Sequence, residues 1–177
     1  MTSQSNLSIE LRRPDLTLFD SYIDGVDEMR TLGEKIWDSM APRPSETPSA
    51  FINRLIQAET SPEPLMVPES VYWATRANVV VGRIALRHEL TPDLKEFGGH
   101  IGYEVRPSHR RQGIATKMLP LILNTPRARQ IRRILITCAP DNQASIKTIT
   151  ANTGVLEKTA WVERVKRDTC YFWIDVD

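Results

Sequence analysis

The sequence has only two cysteines, Cys138 and Cys170, which are too few for a disulfide scaffold. It also lacks any apolar run near the roughly 20 residues that a membrane helix needs; the longest in the middle of the chain is Met118 to Leu123. Residues 1–6 are polar, without the cationic and then apolar pattern of a secretory signal. These absences predict a cytoplasmic protein with no membrane partner.

A large net charge is absent as well. The 177 residues contain 23 Lys and Arg against 22 Asp and Glu, a net charge of +1, which argues against a nucleic-acid partner. Hydrophobic residues make up 41% and charged residues 25% of the chain, the composition of an ordinary globular domain. No repeat or long linker divides the sequence, so we expect one domain over residues 1–177.

Several motifs for metal and nucleotide binding are missing. The three histidines, His88, His100 and His109, lie on separate predicted elements without a paired ligand, so no metal is expected. Neither the P-loop pattern nor the dinucleotide-binding glycine pattern is present.

The charges are unevenly distributed along the chain. Residues 105–140 contain eight Lys or Arg and no acid, whereas residues 10–69 contain twelve acids and six bases. Two interpretations are open: the basic segment holds an anionic ligand and the acidic one a cationic ligand, or the two regions neutralise each other across the fold.

Hydrophobic periodicity and turn residues predict the order of elements. The predicted elements are a strand over 7–11, helices over 16–23 and 26–39, a short helix around residues 51–56, a hairpin of 71–75 with 79–86, a strand over 99–105, a helix from near residue 110 to 123, a strand over 134–138, a helix over 142–152 and a hairpin of 155–162 with 169–176. We expect Pro120 to kink its helix and Gly154 to end the next one in a left-handed conformation. This order predicts a mixed α/β sheet with helices on both faces.

The loop over residues 106–116 carries the strongest chemical signal. The glycine in this loop predicts a helix start at about Ile114. Arg110 and Arg111 lie in or just before its first turn, where the helix dipole disfavours cations unless an anion is bound. Free N–H groups at such a start bind anions, and the small residues Gly113 and Ala115 allow a phosphate to approach closely.

Residues 103–107, Tyr-Glu-Val-Arg-Pro, and 110–115, Arg-Arg-Gln-Gly-Ile-Ala, resemble the GNAT superfamily of acyl-CoA-dependent N-acetyltransferases. The second segment matches a six-residue motif of that superfamily, in which the first residue is Arg or Gln, the fourth is Gly and the sixth is Gly or Ala. Residues 141–145 and 152–154 resemble the second cofactor-contacting unit of that superfamily. The resemblance covers residues 71–174 and is greatest to a bacterial group described only as predicted acetyltransferases.

The resemblance implies a GNAT-like α/β (α+β) fold with a mixed, mostly antiparallel central sheet, helices on both faces and two splayed parallel strands, here 99–105 and 134–138. Residues 7–98 would then hold the N-terminal strand, the acceptor-side helices and a hairpin, and residues 99–177 the acetyl-CoA-binding core and closing hairpin. The implied acetyl-CoA contacts are Tyr103, Glu104 and Val105 for pantetheine, Arg110, Arg111, Gln112, Gly113, Ile114, Ala115 and Thr116 around the pyrophosphate, and Asn142 downstream.

The implied reaction is direct transfer of acetyl from the CoA sulfur to a primary amine of a small molecule or a peptide N-terminus. The sequence departs from the family at two positions, with Thr150 where many members have a Tyr acid and Thr137 where some have a Glu base. Glu104 and His100 are the remaining candidates for the catalytic base, since both should lie on one face of their strand. A non-catalytic acyl-CoA-binding or regulatory module is the alternative, and a homodimer is left open.

Overall fold

Two antiparallel sheets form the centre of the structure, a computed structural model that describes residues 8–177. The first sheet has the order β1 (Glu10–Arg12), β2 (Glu69–Arg76), β3 (Val79–Arg87) and β4 (Ile101–Val105). The second has the order β5 (Arg133–Cys138), β7 (Arg167–Asp175) and β6 (Val155–Val162). Within residues 8–177, β4 and β5 share no backbone ladder, so the central sheet divides between them. The predicted strand at 7–11 is found at Glu10–Arg12, and Leu7 lies outside the described residues.

Six α-helices accompany these strands in the described residues. They are α1 (Leu16–Thr31), α2 (Pro48–Gln57), α3 (Pro92–Glu96), α4 (Ile114–Leu123), α5 (Pro126–Ile131) and α6 (Gln143–Thr150). Short 3-10 turns lie at Asp38–Met40, Pro107–His109 and Glu163–Val165. No helix in the described part of the chain is long and apolar enough to cross a membrane.

Three of the helices begin with the same two residues. Thr47, Thr91 and Thr125 each accept a hydrogen bond from the backbone N–H three residues on, and each is followed by a proline as the first helical residue. The hydroxyl satisfies a free donor of the first turn, and proline has the φ that this position requires. The sequence prediction missed α3 and α5, although the Thr-Pro pair marks both.

The prediction of two helices over 16–23 and 26–39 is wrong, because α1 continues through Gly25 and ends at Thr31. Gly25 is buried, and a Cβ on it would lie 3.3 Å from Cγ of Arg106. This glycine therefore makes room for a neighbouring side chain and does not mark a break. The chain leaves the helix at Gly33, whose φ is +70°.

The central hairpin agrees with the prediction. Ala77 and Asn78 connect β2 and β3, with φ values of +51° and +62°, as in the two-residue turns that match strand twist.

The end of α6 differs from the prediction. Thr153, not Gly154, has the left-handed conformation, with φ of +65°. A Cβ on Gly154 would lie 2.2 Å from Cγ2 and 2.8 Å from the carbonyl oxygen of Ile149, so glycine is required here for space.

Two apolar layers cover the two faces of the first sheet. One layer packs α4 and Ile149 of α6 against both sheets, with Ile84, Met118, Ile136 and Phe172 among its members. The other layer packs α1 and α2 against the opposite face of the first sheet. The predicted arrangement of helices on both faces is therefore confirmed, and the dividing strands β4 and β5 border the first layer.

Candidate functional site

Hydrogen bonds join the two sheets where the chain enters β4. The backbone N–H of His100 donates to the carbonyl oxygen of Leu135 at 2.7 Å, and the Leu135 N–H donates to Nδ1 of His100 at 2.9 Å. Beyond this junction the ladders of residues 8–177 pair β4 with β3 and β5 with β7. A gap with polar backbone edges therefore opens between β4 and β5.

The hydrogen-bond alternation of an antiparallel ladder shows which backbone groups face this gap. Arg87 N–H bonds to the carbonyl of His100, and Arg106 N–H to that of Val81. Residues 102 and 104 consequently direct their N–H and C=O groups at β3, whereas those of Tyr103 and Val105 point into the gap. Of the three residues expected to pair with pantetheine, only these two have the backbone orientation to do so.

A loop over residues 106–113 leads from β4 to a helix start. Helix α4 begins at Ile114, as the glycine loop predicts. It does not begin near Arg110, the start given in the predicted order of elements, because residues 107–109 form a separate 3-10 turn. Its N-cap is Gly113, with φ of +69° and no side-chain cap. The first intrahelical bond is donated by Lys117 N–H to the Gly113 carbonyl, which leaves the four preceding N–H groups without helical partners.

The side chains around this helix start leave it accessible. Ile114 points into the core and is 2% exposed, whereas Ala115 and Thr116 are half-buried. Arg111 is exposed with φ of +60°, and Oε1 of Gln112 accepts a hydrogen bond from Arg76. A Cβ on Gly113 would meet no atom within 4 Å. Backbone donors and open space together make a site for an anion.

Asn152 supports the same helix from the side of α6. Pro120 has no N–H with which to satisfy the carbonyl of Thr116, four residues earlier. Nδ2 of Asn152 donates to that carbonyl at 3.2 Å and to the carbonyl of Thr148 at 2.9 Å. The proline inside α4 is therefore compensated by a side chain from another helix.

Two arginines of the preceding loop are paired with acids in or just after the last turns of α1. Nε of Arg106 donates to Glu28 at 2.7 Å, and Arg110 forms a two-pronged pair with Glu34 at 2.6 and 2.7 Å. Hydrogen bonds from Arg110 lower the pKa of Glu34 below its usual value. For these residues the basic and acidic segments of the sequence neutralise each other, which is the second of the two interpretations above.

Two hydroxyl groups meet beside the gap. Oη of Tyr103 and Oγ of Ser145 lie 2.7 Å apart, joining β4 to the first turn of α6. Burial raises the pKa of Tyr103 to about 12, so its hydroxyl stays protonated at neutral pH. The prediction missed Ser145, because 42 residues separate the two partners. Asn142 caps α6 by accepting the Ser145 N–H on Oδ1, which leaves its Nδ2 as the group able to donate to a ligand.

Glu104 lies on the opposite face of β4. Its carboxylate is 3.4 Å from the guanidinium of Arg83, which is buried and also 3.5 Å from Glu69. A cavity of about 20 Å³ next to this pair lies between α1 and β3 and includes Tyr22 in its lining. Glu104 is thus a partly exposed carboxylate oriented by a buried cation.

The structure contradicts the hypothesis that His100 is a catalytic base facing the cleft. Its side chain is 7% exposed, and burial lowers its pKa to about 4. Since Nδ1 accepts the Leu135 N–H, the ring proton is on Nε2 and neither nitrogen can take another proton readily. His100 joins the two sheets.

The two threonines at the positions where the resemblance implies an acid and a base both make hydrogen bonds within the protein. Oγ1 of Thr137 accepts a hydrogen bond from Gly98 N–H, and Thr150 donates back to the carbonyl of Ile146 in its own helix. Among residues 8–177, no group of three His, Cys, Asp or Glu side chains is placed to hold a metal ion.

The model of the acetyltransferase (GNAT) family matches residues 30–154 of the chain. No curated protein matches the sequence.

Solved structures share the fold over nearly the whole chain. RimL, a ribosomal L7/L12 alpha-N-protein acetyltransferase in complex with coenzyme A, is 22% identical, with a TM-score of 0.69 over 96% of this chain and 95% of that one. The acetyltransferase of Salmonella typhimurium that modifies the N-terminal serine of L7/L12 is 21% identical, with a TM-score of 0.68 over 96% of each chain. The microcin C7 self-immunity acetyltransferase MccE, in complex with acetyl-CoA and AMP, is 17% identical, with a TM-score of 0.67 over 96% and 93%.

Proposed function

The chain belongs to the GNAT family of acetyltransferases, and from this premise we propose that it transfers an acetyl group from acetyl-CoA to a primary amine by direct attack. The observation that carries the proposal is the uncapped start of α4 at Gly113, combined with the edge of β4, where the N–H groups of Tyr103 and Val105 face the gap. Coenzyme A has a diphosphate for the first feature and an amide-containing arm for the second.

The diphosphate binds at the N–H groups from Arg111 to Thr116. Ile114 contributes its N–H alone, because its side chain lies in the core. The pantetheine arm pairs with the backbone of Tyr103, the Val105 N–H faces the thioester at the end of the arm, and Nδ2 of Asn142 donates to the cofactor from the other side of the gap.

Glu104 is the proposed base. A protonated amine cannot attack a thioester, so a proton must leave it, directly or through a water. The carboxylate of Glu104 lies beside β4, oriented by Arg83, on the α1 side from which the amine enters. As the nitrogen–carbon bond forms, the Val105 N–H stabilises the negative charge on the thioester oxygen.

The hydroxyl pair of Tyr103 and Ser145 stabilises the leaving group. When the carbon–sulfur bond breaks, the CoA sulfur leaves as a thiolate that accepts a hydrogen bond from this pair. The raised pKa of Tyr103 keeps its hydroxyl protonated at neutral pH, so it remains a donor. The proton that Glu104 takes from the amine passes through solvent to the thiolate, which is released as the thiol. This pair takes the role for which many family members use a tyrosine at the position of Thr150.

The acceptor class is a primary amine, on a small molecule or at a peptide N-terminus. The peptide alternative is supported by RimL, whose name describes an alpha-N-protein acetyltransferase and whose fold spans nearly the same length. We also propose a cytoplasmic location, since both cysteines are free thiols, as expected in a reducing compartment.

Two measurements test the proposal. Calorimetric titration of acetyl-CoA into the protein should give saturable heat, and mixing both with a panel of amines and N-terminal peptides should release free CoA thiol. Binding without thiol release for any amine would contradict transfer and favour an acyl-CoA-binding module. Absence of binding at millimolar acetyl-CoA would refute the proposal entirely.

A matched pair of glycines tests the location of the diphosphate. Gly113 and Gly33 have φ values of +69° and +70°, and a Cβ on either would meet no atom within 4 Å. Replacing either by Ala should therefore destabilise the fold by a similar amount, about 1–2 kcal/mol for the left-handed backbone. Only Gly113→Ala should also weaken acetyl-CoA binding; equal affinity of both variants would place the diphosphate elsewhere.

A further inference from the structure

The loop between β4 and α4 is attached to α1 at two carboxylates, one near each of its ends. Glu28 holds the loop at residues 106–108, and Glu34, three residues beyond α1, holds it at Arg110. The Arg106 N–H also donates to the Val81 carbonyl where the loop leaves β4, and the Arg106 side chain donates to the Ser21 carbonyl of α1. Beyond Arg106, contacts from α1 and from the segment after it hold residues 107–110 against the rest of the fold.

Both oxygens of Glu28 are used in this attachment. Oε1 accepts from Nε of Arg106 at 2.7 Å and from Oγ of Ser108 at 3.0 Å, while Oε2 accepts from the Ser108 backbone N–H at 2.9 Å. The Arg106 side chain is only 15% exposed and packs into the space left by the missing Cβ of Gly25. The carboxylate thus fixes both a side chain and the backbone of the turn.

Glu34 acts further along the loop. Its two oxygens accept from both terminal nitrogens of Arg110, and Nε of the same guanidinium donates to the carbonyl of Val105 at 3.1 Å. One arginine therefore connects the segment after α1 to the end of β4, next to the N–H that faces the gap.

We infer that Glu28 and Glu34 are positioning residues for acetyl-CoA, holding the loop so that the N–H groups at the start of α4 are aligned before the diphosphate binds. This inference rests on the proposed function of the same site. Without the two carboxylates, the loop would have to be ordered when the cofactor binds, and that entropy would be subtracted from the binding free energy. The opposite expectation is that the acids compete with the diphosphate for Arg106 and Arg110, in which case their removal would tighten binding.

The chain offers a matched control for each carboxylate. Glu46 also accepts from an arginine side chain and a backbone N–H, those of Arg54 and Arg43, at 2.7–2.9 Å. Glu63 also forms a two-pronged pair, with Arg43, at 2.7 Å for both contacts. The partners of these controls lie on α2 and the loop before it, not on the loop after β4.

The experiment compares Glu28→Gln with Glu46→Gln and Glu34→Gln with Glu63→Gln. Calorimetry gives the dissociation constant of CoA, steady-state kinetics separates KM for acetyl-CoA from kcat, and thermal unfolding reports the loss of stability. We expect Glu28→Gln and Glu34→Gln each to weaken CoA binding about tenfold. This factor corresponds to the free energy of ordering one or two side chains. The weaker binding should raise KM for acetyl-CoA more than it changes kcat. The control variants should change CoA affinity less than about twofold.

Unchanged or tighter CoA binding in Glu28→Gln and Glu34→Gln would overturn the inference, and so would equal weakening in the two control variants. Because Glu34 is exposed, its variant should fold even if Glu28→Gln is unstable. Wild-type protein that fails to bind CoA would refute the proposed function; wild-type binding with unaffected variants would refute this inference alone.

Discussion

Asn152 and Pro120 should be energetically coupled, although they lie on different parts of the chain. Pro120 leaves the carbonyl of Thr116 without its helical donor, and Nδ2 of Asn152 replaces that donor at 3.2 Å. In Pro120→Ala the backbone N–H returns and the replacement becomes redundant. We therefore expect Asn152→Ala to destabilise the wild type more than it destabilises Pro120→Ala.

The size of this coupling follows from the two bonds that Asn152 makes. The bond to Thr116, at a half-buried position, contributes about 1 kcal/mol, and the bond to Thr148 contributes a similar amount in either background. Asn152→Ala should therefore destabilise the wild type by about 2 kcal/mol and Pro120→Ala by about 1 kcal/mol. In thermal unfolding, the larger loss corresponds to roughly 4–8 °C for a chain of this length.

Equilibrium unfolding in urea of the four proteins in the cycle measures the coupling directly. The midpoints should be compared at a common m value, since long extrapolations carry larger errors. If Asn152→Ala destabilises both backgrounds equally, the amide acts only within α6 and the proposed compensation of Pro120 is wrong.

Three further predictions concern the catalytic groups and the junction of the sheets. Glu104→Gln should lower kcat/KM by about 100-fold or more with little change in CoA affinity. The control is Glu69→Gln, which removes the other carboxylate near Arg83. A similar loss in this control would show that the activity depends on neutralising Arg83 and that Glu104 is not the base. Ser145→Ala, Tyr103→Phe and the double variant should each lower kcat by similar factors, since the two hydroxyls act as one unit, and additive losses would contradict this. The pKa of His100 is about 4 in the folded protein and near 6.5 in the unfolded chain. Between these two pH values the unfolded chain binds a proton that the folded protein does not. The free energy of unfolding should therefore fall by about 2–3 kcal/mol as the pH drops from 6.5 to 4. His100→Asn, which keeps an acceptor for Leu135 N–H, should lose this component, and an unchanged pH dependence would refute the assignment to His100.

Local signals in the sequence were sufficient where the structure depends on local chemistry. The turn at Ala77 and Asn78 and the glycine loop before α4 are examples, since both depend on backbone conformations that few residues adopt. The short helices α3 and α5 were also predictable, because a Thr-Pro pair starts each of them. Prolines indicate loops only when their role as the first residue of a helix has been excluded.

Long-range packing accounts for the errors. Gly25 and Gly154 have the conformations of ordinary residues, and both are glycine because another residue fills the space of the missing side chain. The partner of Gly25 is Arg106, which no local pattern identifies. Alternation along a strand predicts that His100 and Glu104 share one face, which is why His100 is expected to face the cleft. It does not show which residue of another strand covers that face. Leu135, on the other sheet, is that residue.

The pairing of two loop arginines changes the expected physical origin of the proposed anion site. The charge pattern left open whether the bases of residues 105–140 hold an anionic ligand, yet the guanidinium groups of Arg106 and Arg110 are already matched by carboxylates of the N-terminal part. In the proposed site the attraction for the diphosphate then comes mainly from the N–H groups at the start of α4 and from Arg111. Such donors are effective only when they converge on one point. Glu28 of α1, Glu34 just beyond it and the amide of Asn152 contact the two sides of that helix start, so in the proposed site the acidic N-terminal segment would contribute by aligning these donors.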